Sequence, residues 1–374
     1  MEKTKVLIFI DRLLAGGIQI LLFNLISKMD RNKFDFDILT LDDGMTYSME
    51  KNYKEICNKV YKLDGVWLNS PKDIMNYRKK VSEFFKEHHD YSAVHLNSSS
   101  KNYMILKYAK NYGIPIRIAH SHSSGFLTES KIKIVLGNLL KNKIMAYSTD
   151  LFACSEVSGR WLFGDKAVDD GKVIIIKNGI ELDNYKFSIE KYDRMRLELG
   201  LCDKIIFGHV GRFSIPKNHK FLLEIFSCLA NQEDKAVLLL AGTGDLEDEI
   251  KLYAKQLGIE NKVIFLGFRN DIANLLQAFD YFIMPSLYEG FPVTGVEAQA
   301  NGLPCIFSNT ITKDIKLTDN VVYYNLEDSA EKWRNDIIDF MKHAKRSDQI
   351  SSIRKQGYDI DDIAKDLENF YIVK

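Results

Sequence analysis

The chain has 374 residues, 46% of them hydrophobic, which is long for a single core and predicts two domains of ordinary size. Its 51 basic and 51 acidic side chains cancel, which excludes bulk nucleic-acid binding and leaves any polyanion or membrane contact to a local patch. Five scattered cysteines (Cys57, Cys154, Cys202, Cys228, Cys305) predict neither a disulfide framework nor a zinc site. No apolar run is long enough to span a bilayer, and the KVLIFI that follows MEKTK is too short for a signal peptide, so a cytoplasmic protein is expected.

Lys5 to Ile10 predicts a buried strand, followed by the loop DRLLAGGIQ and a helix with Leu21, Leu22, Leu25 and Ile26 on one face. Gly16-Gly17 at that turn permits close approach of a backbone to a ligand, although taken alone the pair reads as a tight turn. Phe34 to Leu41 alternates as a strand. Its Asp35-Phe36-Asp37 has the D-x-D pattern of a metal site but opens the strand with no partner ligands, so it reads as solvated edge charge. A helix around Asp73 to His89, a strand from Tyr91 to Leu96, a helix to Tyr112 and a strand from Ile114 to Ala119 follow. The last of these delivers His120-Ser121-His122-Ser123 as a polar loop at its C-terminal end, the side on which open parallel sheets bind ligands. Lys131 to Met145 is amphipathic, with four lysines and no acid. Two readings fit it: a helix lying on anionic lipid, or one covering a sheet face with its lysines outward. Short strands from Leu151 to Cys154 and Val173 to Lys177 close the first half. Asn178-Gly179-Ile180-Glu181 then opens a charged stretch, read as poor in helix, to about Lys204.

The second half restarts like the first, with a strand from Ile205 to Val210, the loop VGRFSIPKNHK and a helix from Phe221 to Leu229. This repeat predicts two Rossmann-like α/β domains. Arg212 and Lys217 put a fork and a point charge in one loop; taken alone they read as a surface cation pair, although together they could hold a diphosphate. Val237 to Gly242 is the next strand. Its Gly242-Thr243-Gly244 is not a dinucleotide fingerprint, because the third glycine would fall at Glu247. Val263 to Leu266 leads to Gly267-Phe268-Arg269. Tyr281 to Met284 is then a strand that breaks at Pro285, and a loop runs to Glu289-Gly290. Phe291-Pro292 starts a helix carrying Val293, Val296, Ala298 and Ala300, which Asn301-Gly302 closes before Pro304. Strand, glycine loop and helix start in that order make an anion site fit for a diphosphate. Glu289 and Glu297 bracket it; carboxylates repel phosphate, so sugar hydroxyls and a ribose diol are their natural targets. A strand from Val321 to Tyr324 and helices near Trp333 to Met341 and Ile360 to Phe370 complete the chain.

The segment PSLYEGFPVTGVEAQANGLP, with its two glutamates seven residues apart, resembles the retaining family 4 glycosyltransferases of GT-B fold. G-R at Gly211-Arg212, K-N at Lys217-Asn218, N-G-I-E at the hinge and AHSHS extend the likeness over nearly the whole chain, which looks most like enzymes of capsular or exopolysaccharide assembly. The resemblance implies two Rossmann-like domains facing a central cleft. Residues 1–182 would be an acceptor-binding domain and 183–374 a donor-binding one, with the last helix, about 358–374, crossing back to the first. It implies transfer of a hexose or N-acetylhexosamine from a nucleotide diphosphate sugar, UDP-linked by expectation, to a glycan or polyprenyl-linked saccharide with retention and without metal or cofactor. Arg212, Lys217, Glu289 and His120 would serve the chemistry. Gly17, Phe268, Gly290, Phe291, Pro292, Val293 and Glu297 would hold the donor, and Gly16 and His122 would face the acceptor. Many members carry Glu where this chain has Gln19. An epimerase, a phosphorylase, or a non-catalytic sugar-nucleotide-binding subunit would share the two-domain plan.

Overall fold

The structure, a computed structural model, describes residues 3–14, 16–42, 48–64, 70–123, 125, 130–289 and 291–373. It divides into two compact units, Met1–Gly179 with Ile360–Lys374, and Ile180–Asp359.

Apolar runs in the first unit form seven strands: β1 (Thr4–Ile10), β2 (Phe34–Asp42), β3 (Lys59–Asp64), β4 (Ala93–Asn97), β5 (Ile116–Ser121), β6 (Asp150–Ala153) and β7 (Val173–Ile175). They pair in parallel in the order β3-β2-β1-β4-β5-β6-β7. Parallel sheets are covered on both faces, which is why β1 is apolar throughout instead of alternating. Val6, Ile8 and Ile10 pack towards the helices Gly17–Lys28 and Ile360–Val373, while Leu7 and Phe9 pack towards Pro71–Glu87 and Tyr103–Asn111. The C-terminal helix belongs to this core: Ile360, Ile363, Ala364, Leu367 and Tyr371 are all buried in it.

The second unit repeats the plan with β8 (Ile205–Val210), β9 (Ala236–Ala241), β10 (Val263–Gly267), β11 (Tyr281–Met284), β12 (Cys305–Ser308) and β13 (Val321–Tyr324), in the order β10-β9-β8-β11-β12-β13. In each sheet the strand order reverses beside its first strand, between β1 and β4 and between β8 and β11. At such a switch point the two connections leave in opposite directions and open a crevice at the strands' carboxyl ends. Loops after β8 and β11 therefore meet there, as do those after β1 and β4.

Three expectations need correction. The stretch 181–204 contains helices Leu182–Tyr185 and Ile189–Leu199; Ser188 caps the second through the Lys191 amide, and Gly200 ends it at φ +69°. Both signals lie in the sequence and were outweighed by its charge. Asp37 does not lie on a sheet edge, because β3 pairs outside β2 from Asp37 onward, and it accepts from the Tyr91 hydroxyl at 2.7 Å; Asp35, before that pairing begins, forms an ion pair with Lys3. His120 is not in a loop: β5 runs on to Ser121, so its ring faces the core.

Candidate functional site

The loops that follow β8 and β11 are stitched together. Leu287 N–H donates to the Pro216 carbonyl at 2.8 Å, and the Asn218 amide donates to the Pro285 carbonyl at 3.1 Å. Asn218 sits at φ +56°, a left-handed conformation that asparagine tolerates, and it turns the chain into the helix His219–Ala230. Lys217, just before it, places its Nζ 2.7 Å from Glu289 Oε1; both side chains are nearly buried, at 18% and 11% exposure. Ser286 Oγ donates to the same carboxylate oxygen at 2.6 Å. Two residues 72 apart in sequence thus form one neutral pair at the switch point.

Arg212 behaves differently. Its side chain is 69% exposed and reaches only the still more exposed Asp245, at 3.4 Å, a contact of small energetic value that leaves the guanidinium able to turn to a ligand. Two glycines make room beneath this loop. A Cβ on Gly242, which holds φ +143°, would lie 2.1 Å from the Gly211 carbonyl oxygen, and one on Gly244 would lie 2.4 Å from that of Phe213. The G-T-G therefore serves packing of the β9 loop against the β8 loop. Phe268 follows β10 and is 71% exposed, a free aromatic face.

Helix Val293–Ala300 starts at Pro292 with no side-chain cap, and its Gly295 N–H bonds the Pro292 carbonyl at 2.9 Å. Phe291 stacks on Tyr358, ring centroids 5.9 Å apart. Gly290 lies outside the described residues. Glu297 accepts from the Tyr185 hydroxyl at 2.7 Å, and burial pushes its carboxyl above the usual range. Tyr185 is held in turn by Asn301, whose amide donates to its carbonyl at 2.8 Å. Tyr185 was missed in the sequence because nothing links it to Glu297 except the fold.

In the first unit Gly16 is the extended N-cap of Gly17–Lys28, at φ −148°, and neither Gly16 nor Gly17 needs a positive φ. A Cβ on Gly17 would meet nothing within 4 Å, whereas one on Gly16 would lie 2.7 Å from Gln19 Oε1, so space is open at Gly17 and the Gln19 side chain lies against Gly16. Gln19, in the first turn of that helix, donates back to the Arg12 carbonyl at 2.8 Å. His120 Nδ1 lies 3.0 Å from His95 Nε2, and His95 Nδ1 lies 2.7 Å from the Tyr371 hydroxyl. His122 Nε2 lies 2.8 Å from Asn97 Oδ1. Burial pushes the imidazoles of His95 down to about 3 and His122 to about 4, and that of His120 well below its ordinary value, so all three are neutral at pH 7. Neither His95 nor Tyr371 was singled out in the sequence, since each looks like an ordinary core residue. The helix Lys131–Tyr147 exposes Val135 (61%), Leu136 (51%) and Leu139 (64%). Among the described residues no group of three His, Cys, Asp or Glu side chains is placed to hold a metal, and no helix is long and apolar enough to cross a membrane.

Comparison with known proteins follows the two units. Residues 15–184 match the model for glycosyltransferase family 4, and residues 193–356 that for glycosyl transferases group 1. The chain is 35% identical over 317 residues to the putative glycosyltransferase EpsF of Bacillus subtilis, spanning 84% of this chain and 81% of the relative. It is 30% identical over 224 residues to the UDP-Gal:alpha-D-GlcNAc-diphosphoundecaprenol alpha-1,3-galactosyltransferase of Escherichia coli, spanning 59% of this chain and 58% of that one. Among solved structures, Anabaena HepE in complex with UDP superposes with a TM-score of 0.80 at 20% identity, covering 98% of this chain and 99% of the other, a likeness of fold.

Proposed function

Since the chain belongs to the family 4 glycosyltransferases, we propose that it moves a hexose or N-acetylhexosamine from a UDP-sugar to a glycan or carrier-lipid-linked saccharide, with retention, in the assembly of a bacterial surface polysaccharide. The observation that carries this reading is the Lys217–Glu289 pair at the β8/β11 switch point. A nucleotide sugar offers what each partner needs: a diphosphate for the lysine, and hydroxyls for the carboxylate. Binding exchanges one internal ion pair for two charge-assisted contacts, so no buried charge is left uncompensated.

The costly event is departure of the nucleoside diphosphate as positive charge grows on the anomeric carbon. Lys217, the exposed Arg212 and the amides that open helix Val293–Ala300 stabilise the charge developing on the leaving oxygens, and no metal is invoked. Glu289 orients the sugar through its hydroxyls, Glu297 takes the ribose diol while Tyr185 steadies it, and Phe268 offers the base an aromatic face. In this reading the second unit holds the donor and the first, with open space at Gly17, admits the acceptor. His120 and His122 bond sugar hydroxyls. Attack from the face the diphosphate leaves retains the configuration, a phosphate oxygen removing the acceptor proton.

Two comparisons support the donor and acceptor classes: the E. coli relative is named for a UDP-sugar and a diphosphoundecaprenol-linked acceptor, and HepE was solved with UDP. The apolar face of Lys131–Tyr147, flanked by lysines, suits peripheral contact with an anionic inner membrane surface from the cytoplasm. Titration calorimetry with UDP, GDP and ADP on the native protein and on Arg212→Ala tests the site. UDP should bind, and about tenfold more weakly to the variant, the loss of one charge-assisted contact. Equal affinity of the two proteins for UDP, or binding of GDP or ADP instead, would reject the assignment. Product NMR reads the anomeric configuration, and inversion would reject retention.

A further inference from the structure

Three aromatic side chains on one face of the first sheet form a continuous polar line through an apolar core. Tyr371 comes from the C-terminal helix, His95 from β4 and His120 from β5; all three are buried, and the Phe152 ring packs edge-on against both histidines. The line runs from the Tyr371 hydroxyl to His95 Nδ1 (2.7 Å) and from His95 Nε2 to His120 Nδ1 (3.0 Å). His120 Nε2, at its end, is buried and has no hydrogen-bond partner among the described residues, and neither does His122 Nδ1; their rings lie 4.0 Å apart.

Proton placement along this line follows from counting donors. The line can run in two directions: one leaves an unsatisfied proton on the Tyr371 hydroxyl inside the core, the other leaves it on His120 Nε2 at the line's end, where a ligand oxygen can accept it, and only with Tyr371 donating to His95 does a bound hydroxyl complete the line. His95 Nδ1 is then the lone-pair nitrogen, and neutral His95 carries its proton on Nε2. That N–H faces His120 Nδ1, which must accept, so the His120 proton is on Nε2. His122 is fixed by a second route. The Asn97 amide nitrogen donates to the His95 carbonyl at 3.3 Å, which turns Asn97 Oδ1 to His122 Nε2; that nitrogen must donate, and Nδ1 keeps its lone pair.

We propose that Tyr371 and His95 are positioning residues that lock His120 as the Nε2–H tautomer, so that His120 and His122 present one donor and one acceptor, the complement of a single sugar hydroxyl. His120 is then a hydrogen-bond donor and no general base, and the C-terminal helix sets that state from across the core. An oxygen that only accepts satisfies half of the pair, and an amine that donates twice meets a donor with a donor; a hydroxyl satisfies both. This inference rests on the reading of His120 and His122 as sugar-facing residues, but its test involves no transfer, so either can fail without the other.

The test is nitrogen-15 NMR of histidine-labelled full-length protein at pH 7, where long-range proton–nitrogen couplings tell a protonated ring nitrogen from a lone-pair one, with His95→Gln, His120→Gln and His122→Gln spectra for assignment. The native protein should show His95, His120 and His122 each as a single Nε2–H tautomer. Tyr371→Phe keeps the ring and removes the hydroxyl; it should leave melting cooperative while His95 and His120 lose their single tautomer and populate Nδ1–H forms, with His122 unchanged. An Nδ1–H or mixed His120 in the native protein overturns the relay whatever the variant does, as does a folded Tyr371→Phe with His120 unaltered.

Discussion

Charge at the donor loops is held by single side chains, and its energetics can be read residue by residue. Lys217→Met leaves Glu289 nearly buried with only Ser286 donating to it, and should destabilise the second unit by roughly 1–3 kcal/mol. Adding Glu289→Gln removes the stranded charge and should recover most of that loss; denaturant melts of both single variants and the double give the coupling, and an additive double would show that the pair contributes nothing. The buried imidazoles make a second prediction. His95, His122 and His219 are pushed down to about 3, 4 and 4 by burial, and His120 and His209 well below the ordinary value, so the unfolded chain binds protons that the folded one refuses. For such groups stability is fully present above the unfolded pKa, near 6.5, and is lost as pH falls below it towards the folded value. Between pH 7 and 5 His95, His122 and His219 should each remove on the order of 2 kcal/mol, with His120 and His209 acting in the same direction, so the melting temperature should fall across that window. A flat profile would mean that these imidazoles titrate freely.

At the scale of elements, the helix Lys131–Tyr147 stands apart. Most helices here spend their apolar residues on a core, whereas this one buries Ile144 and leaves Val135, Leu136 and Leu139 in water. Lys141 lies over Trp161 at 4.6 Å and Lys143 over Tyr103 at 5.2 Å, so those two lysines also fasten the helix to its neighbours. One part of the helix thus covers the fold, as one sequence reading expected, and another leaves an apolar stripe exposed. Leu139→Asp puts a carboxylate in that stripe and should reduce co-sedimentation with phosphatidylglycerol vesicles several-fold, leaving melting nearly unchanged because the side chain is exposed. Equal sedimentation would remove the helix from any membrane role.

At the scale of the whole molecule, the last helix is a structural part of the first unit. Deleting residues 360–374 uncovers the surface that buries Ile360, Ile363, Leu367 and Tyr371. At about 1.5–3 kcal/mol for each large side chain the loss is comparable to the entire stability of a domain. The truncated chain should bind a hydrophobic dye and lose the cooperative melt of the first unit; an unchanged melt would refute this packing. Sequence alone determined the repeated strand–loop–helix plan, the apolar strands, the glutamate pair and the basic loop, because these are written in local periodicity and in residues close along the chain. It also held the caps at Ser188 and Gly200, misjudged because charge was weighed above capping. Only tertiary structure decided that Lys217 meets Glu289, that Tyr185 holds Glu297, that the G-T-G serves packing, and that His95 and Tyr371 stand behind His120. Each is a contact between residues dozens to hundreds of positions apart. Local sequence constrains backbone conformation over a few residues, whereas such contacts depend on which strands become neighbours in the sheet.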